Sequence, residues 1–423
     1  MKLITELGEE IERRWVDKNY DEEVFPALAA KALKEANIPE KITAWEVLDW
    51  TLGQTHLPDQ KDLPGRFGDP PITLYNSPRF HIDTYFWLEG TTSIHQHAFC
   101  GAFQVLHGSS IHSWYEFDRK EKINSVTEVG DIDLRTCQLL EVGDVHEIQP
   151  GRQFIHSLFH LDQPSVTLIA RTHKSPLFLP QFDYRKPFLA IDPFFEESNQ
   201  VKKMQCITAL IRSKRDDVDG HIEDMLKKAD FQTTFGILSM IRGFMQQNQI
   251  DQMFNLDAPK DRFEGFMDIV KERHGELGDV FPKVFAHQDK LNEIINRRHY
   301  ITDSEQRFFL ALLLNLEGKE NIFRLIRKRF ADDDPMDKTL DWIFDLSQTR
   351  VLGLKVPNAL GIEDFDDFDL FVLENMLKDK SNDEIGMSLK KDYPSENADE
   401  LAKSLPSRVE KLEQSVLLQP LLS

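Results

Sequence analysis

Residues 90–108 read Gly-Thr-Thr-Ser-Ile-His-Gln-His-Ala-Phe-Cys-Gly-Ala-Phe-Gln-Val-Leu-His-Gly and contain two histidines separated by one residue. Side chains two apart on a β-strand point to the same face, so His95 and His97 would share one side of a strand. If that side faces the inside of a barrel, the two imidazoles can bind one metal ion, and imidazole suits Fe, Zn, Cu or Ni. A third histidine, His156, follows the Pro150-Gly151 pair, and another strand of the same barrel can supply it. The pattern predicts a metal site on His95, His97 and His156.

The region around this segment, from about residue 80 to residue 173, contains a series of short strand-like pieces. Each piece is rich in aromatic and β-branched residues, and Gly, Asp, Asn or Pro separates it from the next. Many short strands at close spacing predict a barrel or jelly roll, in which sheet edges are closed or protected. The predicted strands are Phe80–Leu88, Gly101–Leu106, Ser110–Phe117, Val126–Val129, Thr136–Glu141, His146–Ile148, Ser157–Leu161 and Val166–Arg171.

Helical patterns flank this region on both sides. Apolar residues from Leu3 to Trp15 recur at helical spacing near the N-terminus. From about residue 199 to the end the pattern is helical again, and the spacing Thr302-Asp-Ser-Glu is that of a capping box. We therefore predict the α+β class, with a jelly-roll β-barrel and N-terminal helices in residues 1–195 and an all-α C-terminal domain in residues 196–423.

Composition excludes several classes of protein. The chain has 423 residues, more than one ordinary core holds, and a net charge of −21. That charge opposes broad binding to nucleic acid or to anionic membranes, because both need basic surface. The first residues do not form a basic and apolar leader, and no apolar run approaches the ~20 residues that cross a bilayer. Three sparse cysteines are typical of free thiols, so we predict a cytoplasmic protein.

Glycines surround the histidine pair in a distinctive arrangement. Gly90 precedes the pair, Gly108 follows it, and a second Gly…Pro-Gly…His block ends at His156. Over residues 80–173 this pattern resembles the two sequence motifs of the cupin superfamily. In the cupin pattern a glutamate four residues after the second histidine usually supplies a fourth ligand, and this chain has Gly101 there. The resemblance implies a cupin-type barrel whose ligands are three histidines.

The segment Thr92-Ser-Ile-His-Gln-His97 resembles the Ser-Ser-Ile-His-x-His motif of the cysteine dioxygenase family of thiol dioxygenases. Members of that family lack the cupin glutamate, and His156 matches their third ligand. The resemblance implies a mononuclear non-haem iron dioxygenase that inserts oxygen into a small thiol or related anionic substrate. The implied cofactor is Fe(II), with Zn, Ni or Mn as alternatives. Dioxygen is the implied second substrate, and open coordination positions would bring the two reactants together.

The chain departs from that family where substrate and oxygen are oriented. The family has a Ser-x-His-x-Tyr run, and the aligned residues here are Thr167-Leu-Ile-Ala-Arg171. If Thr167 and Arg171 face the barrel interior, a cation lies near the metal site, which is unfavourable unless an anion is present. We therefore predict that Arg171 binds an acidic group of the substrate by paired hydrogen bonds. The alternative is an ion pair with a carboxylate of the chain.

Two other side chains leave alternatives open. Gln104 can face the site and donate a hydrogen bond to bound oxygen or substrate, or it can fill the barrel. His160 follows His156 by four residues and can replace it as the third ligand. With Thr167 and Arg171, Gln104 completes the set of candidate catalytic residues.

The C-terminal half carries no catalytic motif in its sequence, such as a Walker loop, a dinucleotide-binding turn or zinc-ligand spacing. We predict that these helices bind a partner protein, form a homodimer or cover the barrel. Two rival functions remain open beside the dioxygenase. One is a cupin of another metal-dependent class, such as an isomerase or lyase, and the other is a non-catalytic sensor that signals ligand binding to the helices.

Overall fold

The structure is a computed structural model that describes residues 1–63, 65, 68–88, 92–247, 259–297, 300–351, 356, 358–392 and 398–423. Gly90, which the cupin resemblance places before the histidine pair, lies outside these residues. Among the described helices, none combines the length and the apolar character that a membrane crossing requires.

Three helices lie at the N-terminus: α1 Lys2–Val16, α2 Phe25–Ala36 and α3 Ala44–Gly53. Helix α3 begins with a capping box, in which the Thr43 hydroxyl accepts a hydrogen bond from the Glu46 N–H and the Glu46 carboxylate accepts one from the Thr43 N–H. The buried apolar faces of these helices and the outer face of a β-sheet form one core cluster.

The strands lie between residues 71 and 191. They are β1 Pro71–Asn76, β2 Phe80–Trp87, β3 Ile94–His97, β4 Gly101–His107, β5 Ser110–Lys122, β6 Thr127–Leu140, β7 Val145–Ile148, β8 Gly151–His160, β9 Ser165–Thr172, β10 Asp183–Arg185 and β11 Leu189–Ile191. Strand β1 falls in the proline-rich segment before residue 80, outside the strands that the sequence predicts.

The strands form two antiparallel sheets that face each other. One has the order β1-β2-β9-β4-β7, and the other is a closed ring in the order β10-β11-β6-β5-β8-β3. A buried apolar cluster joins them, with Phe103 and Ile169 from the first sheet and Phe154 and Leu158 from the second. The structure confirms the predicted fold class, α+β, with a β-barrel and N-terminal helices followed by an all-α C-terminal region.

Two long strands differ from the sequence prediction. The predicted strands Val126–Val129 and Thr136–Glu141 are parts of one strand, β6, and β5 continues past its predicted end at Phe117 to Lys122. The intervening residues are mainly polar, which is why the sequence pattern indicates a loop. Backbone pairing with β6 runs along the whole of β5, with register shifts after Trp114 and after Arg119. This pairing keeps the polar segment extended, because it does not depend on apolar side chains.

The C-terminal region is helical, as predicted. Its helices are α4 Ser198–Arg212, α5 Val218–Leu226, α6 Phe231–Gln247, α7 Pro259–His274, α8 Val280–Arg297, α9 Ser304–Asn315, α10 Lys319–Arg329, α11 Pro335–Gln348, α12 Asp367–Leu377, α13 Asn382–Asp392, α14 Ala398–Glu413 and α15 Gln419–Leu422. Helix α9 is capped by Asp303, whose carboxylate accepts hydrogen bonds from the N–H groups of Glu305 and Gln306. The cap therefore lies one residue after the predicted Thr302.

The C-terminal helices pack against the outer face of the closed ring of strands. Ile111, Leu139 and Phe159 are buried in one core cluster with helices of this region. Lys328 Nζ donates a hydrogen bond to the Leu139 carbonyl oxygen at 2.9 Å. Helix α4 begins at Ser198. The domain boundary at residues 195 and 196 remains a prediction.

Candidate metal centre

Strand β3 carries two of the predicted ligands and pairs with a strand on each side. Its pairing with β8 places His95 opposite His156, and its pairing with β10 places Asp183 opposite His95. Side chains that are directly paired on antiparallel strands point to the same face. The pairing with β8 is irregular after His95, and His97 lies opposite Gly151. The local pairing of β3 and β8 therefore brings the histidines together.

The side chains of His95, His97 and His156 converge on one point. One ring nitrogen from each lies within 4.8 Å of the others. The closest approach is 2.8 Å, between His97 Nε2 and His156 Nε2. His97 and His156 are 9% and 3% exposed, and His95 is partly buried. The three histidines that the sequence predicts as ligands thus form one cluster.

Hydrogen bonds to the other ring nitrogens leave Nε2 of His95 and His156 available for a metal. His95 Nδ1 lies 2.7 Å from the Ser93 carbonyl oxygen, which can only accept, so this nitrogen carries the proton. His156 Nδ1 lies 2.7 Å from His112 Nε2. When His156 donates through Nδ1–H to His112, its Nε2 keeps a lone pair on the side of His97. Imidazoles that bind metals usually donate their second N–H in this way.

Burial keeps the imidazoles of this cluster uncharged. It lowers the pKa of His97 and of His156 well below the ordinary value, and the neighbouring imidazoles lower both further. Burial also lowers the pKa of His95, although the Ser93 carbonyl and Asp183 partly offset the effect. Neutral imidazole is the form that binds a metal ion. The cluster is therefore in its ligand form at neutral pH.

The donor set fits a divalent transition-metal ion. At metal–nitrogen distances of about 2.1 Å, two adjacent ligands of an octahedral ion lie about 3.0 Å apart, close to the 2.8 Å between His97 Nε2 and His156 Nε2. Three imidazole nitrogens suit Fe, Zn, Cu or Ni. No carboxylate of the described residues joins the group. The nearby Asp183 carboxylate instead pairs with Arg185 at 2.6 Å.

Gly101 lies at the position where the cupin pattern has a glutamate, and the barrel leaves no room there for a side chain. It pairs with Arg171 in the ladder between β4 and β9. A Cβ atom at Gly101 would lie 2.2 Å from the Ala170 carbonyl oxygen and 2.8 Å from Arg171 Cα. Both distances are far shorter than a normal van der Waals contact. The close approach of the two backbones therefore explains the missing carboxylate.

Arg171 lies beside the histidine cluster and bonds to a histidine of the chain. Its Nε donates to His81 Nε2 at 2.9 Å, and the guanidinium lies 4.1 Å from the ring centre of Phe99. The Phe99 and His97 rings are 4.4 Å apart. Among the described residues no carboxylate forms the predicted alternative of a direct ion pair with Arg171. His81 lies between Arg171 and the carboxylate of Asp83, which is 3.2 Å from His81 Nε2.

Thr167 and His160 belong to a polar group outside the ligand cluster. Thr167 Oγ1 accepts a hydrogen bond from Trp87 Nε1 at 3.1 Å, and the Trp87 ring stacks on His160 with 4.6 Å between ring centres. His160 Nδ1 is hydrogen-bonded to the Ser165 hydroxyl. The three-histidine group thus contains His156 and not His160.

Gln104 points away from the histidines. It alternates along β4 with Phe103 and Val105, which belong to the apolar cluster between the two sheets. Its side chain is therefore on the opposite face, where Nε2 donates to the Gly143 carbonyl oxygen at 3.3 Å. The alternation of the strand places the Gln104 side chain outside the barrel interior, on the face opposite to Phe103.

The sequence alone indicates no specific role for His112 or for the pair His81 and Asp83. All three side chains are buried, and His112 bonds directly to a ligand histidine. His112 lies two residues before Trp114, the residue that pairs with His156. The alternation of β5 would have found this neighbour if the pairing of β5 with β8 had been known, but residue spacing alone does not set the pairing of distant strands.

The chain matches no protein-family model and no curated protein. Similar solved structures include hydroquinone 1,2-dioxygenase from Sphingomonas sp. TTNP3, with 12% identity over 26% of this chain and 68% of that one and a TM-score of 0.21. DMSP lyase DddQ from Ruegeria pomeroyi DSS-3 is 14% identical over 30% of this chain and 54% of the lyase, with a TM-score of 0.19. The chain therefore spans about half of the lyase. E. coli ycfD is 11% identical over 81% of this chain and 69% of its own, with a TM-score of 0.18. Similarity this low carries no argument about activity, and the resemblance to cysteine dioxygenase remains a prediction.

Replacing Gly101 with alanine tests the close approach of β4 and β9. We expect Gly101→Ala to lower the free energy of unfolding by about 1–3 kcal/mol or more, because a strand must move to admit the methyl group. Gly220→Ala is the control, since its added Cβ meets nothing within 4 Å in helix α5 and alanine favours helix. Urea unfolding measures both variants. A Gly101→Ala protein as stable as the unmodified one would contradict this account.

Replacing His112 tests its hydrogen bond to His156. We expect His112→Leu to weaken Co²⁺ binding by about 10–100-fold, because the imidazole of His156 loses the partner that orients it. His112→Gln can still accept through its amide oxygen and should recover part of the affinity. Titration of the metal-free protein with Co²⁺, followed by absorption spectroscopy, measures both variants. Equal affinities for His112→Leu and the unmodified protein would count against this role.

Proposed function

We propose that the chain is a mononuclear non-haem Fe(II) dioxygenase that transfers both atoms of dioxygen to the sulfur of a small anionic thiol. The observation that carries the proposal is the cluster of His95, His97 and His156, three uncharged imidazoles without a carboxylate. Such a ligand set leaves the charge of a divalent ion uncompensated, which favours an anionic substrate beside it. When bound, Fe(II) supplies redox chemistry and open positions that bring thiolate and dioxygen together.

Arg171 is the side chain that would bind the acidic group of the substrate. It is close enough to the cluster that its charge lowers the pKa of His97. Hydrogen bonding with the described residues uses only Nε of its guanidinium, so the two Nη groups remain for a carboxylate. His81 fixes one edge of the guanidinium and Phe99 one face. A guanidinium held in this way is preoriented for a paired hydrogen bond.

Apolar side chains surround the histidines inside the barrel. Phe99, Phe103, Phe154 and Ile169 belong to one buried cluster, and the Phe154 and His156 ring centres are 4.4 Å apart. An apolar wall excludes water and strengthens the attraction between Arg171 and an anion. Exclusion of water also protects a reactive intermediate from side reactions. These residues would therefore form the walls of the substrate site.

Metal content separates this proposal from its rivals. The purified protein should contain equimolar iron, and stoichiometric zinc, nickel or manganese would favour an isomerase or lyase.

We expect His97→Ala and His156→Ala to abolish Co²⁺ binding by the metal-free protein, because each removes one of only three ligands. His160→Ala is the matched control and should keep the metal, since His160 bonds to Ser165. Retention in His156→Ala with loss in His160→Ala would show that the ligand set is wrong.

Oxygen consumption tests the reaction and the role of Arg171. The ferrous protein should consume one molecule of dioxygen for each thiol converted to a sulfinate, and 3-mercaptopropionate should react faster than the uncharged 2-mercaptoethanol. Arg171→Ala should lower kcat/KM for the anionic thiol about tenfold or more, the magnitude of a charged hydrogen bond, with little effect on the uncharged one. Arg79→Ala removes a cation that lies over Tyr20 instead and serves as the control.

The outcomes of this experiment separate the two parts of the proposal. Unchanged kcat and KM in Arg171→Ala would exclude the anion-binding role of that residue. If no thiol in the panel stimulated oxygen uptake, the dioxygenase proposal would be wrong. Tight binding of a thiol without turnover would favour the sensor.

A further inference from the structure

A cavity lies between the barrel and the C-terminal helices. Its volume is about 270 Å³, and its walls come from strand β10 and helices α6 and α8. Arg185 contributes from the end of β10 and Arg242 from α6. Phe285, Gln288 and Asn292 of α8 also line it, and their spacing of three and four residues places them on one helix face.

The cavity has a cationic and aromatic lining. Arg185 and Arg242 are its charged residues, and no acidic side chain is among the described residues that line it. The Phe235 and Phe285 rings stack with 5.7 Å between centres, and the Arg242 guanidinium lies 4.4 Å from the Phe285 ring centre. Gln288 adds an amide group. This combination suits an anion that also carries an apolar body.

Arg185 and Arg242 each form an ion pair, and each has N–H groups that this pair does not use. Arg242 pairs with Asp289 at 2.5 Å, but that carboxylate is 52% exposed, and exposed pairs of this kind are weak. Arg185 pairs with the buried Asp183, and its Nε is buried without a hydrogen-bond partner among the described residues. Nη1 of Arg185 and Nη1 of Arg242 take no part in these pairs, so both remain as donors for an anionic oxygen in the cavity.

We propose that this cavity is a binding site for a small organic carboxylate. Its volume lies near the lower end of small-molecule pockets, which span about 300–1,000 Å³, so a compact acid fits and a dinucleotide does not. The carboxylate is placed between Arg185 and Arg242, and the apolar body lies against Phe235 and Phe285. This site is separate from the three histidines, so binding is measured with metal-free protein.

Calorimetric titration of the full-length, metal-free protein with benzoate tests the site. Benzoate should bind, and the uncharged benzamide of the same shape should bind at least tenfold more weakly. Arg242→Gln should weaken benzoate binding at least tenfold, the magnitude of a lost charged hydrogen bond. Arg212→Gln is the matched control, because Arg212 also lies over a phenylalanine ring, Phe244, without lining the cavity.

A second variant tests the cavity independently in case Arg242→Gln does not fold. Gly243 lines the cavity from α6, and a Cβ added there meets nothing within 4 Å. Gly243→Leu should fold at least as well, because leucine favours helix over glycine, and its side chain should fill the cavity and remove benzoate binding. Equal binding of benzoate and benzamide, or unchanged binding in both Arg242→Gln and Gly243→Leu, would overturn the proposal. Failure of benzoate and hexanoate to bind up to about 10 mM would also overturn it.

Discussion

The pairing of strand β3 with strand β8 is the interaction on which the histidine cluster depends. Strand β3 has only four residues and β10 only three, so neither could form a stable sheet alone. Each is held by neighbours on both sides, and together they close the ring of strands. Closure pairs the backbone groups that an edge strand would expose. The same closure fixes His95 opposite His156, so barrel stability and ligand geometry rest on one set of hydrogen bonds.

Charge inside the barrel is balanced before any metal binds. The three imidazoles are uncharged because burial lowers the pKa of each of them. Burial raises the pKa of Asp83, but its contact with His81 and the charge of Arg171 bring the pKa below its ordinary value. The Asp83 carboxylate thus compensates the Arg171 guanidinium through His81. A divalent ion on the histidines adds charge that no described residue of the ligand group neutralises, and an anionic substrate would neutralise it.

The sequence predicts those parts of the fold and site that depend on local pattern. The alternation of a strand places His95 and His97 on one face, and short β-rich pieces indicate the barrel. The contact of His112 with His156 and that of Arg171 with His81 join residues 44 and 90 positions apart. Such contacts depend on which strands pair and in what register, which local pattern does not show. Gln104 is an example, because the sequence leaves open which face of β4 its side chain occupies. The apolar packing of Phe103 and Val105 inside the barrel places it on the other face.

The absence of a carboxylate at position 101 and the position of Arg171 both depend on one packing arrangement. Gly101 and Arg171 are partners in the β4–β9 ladder, and the backbones approach so closely that a Cβ at Gly101 would overlap the Ala170 carbonyl. The close pairing therefore removes an anionic ligand. The same pairing places Arg171 opposite Gly101 on β4, the strand that follows the ligand strand β3 in the chain. Under the proposed function, the missing carboxylate and the Arg171 cation would both favour an acidic substrate beside a bound metal.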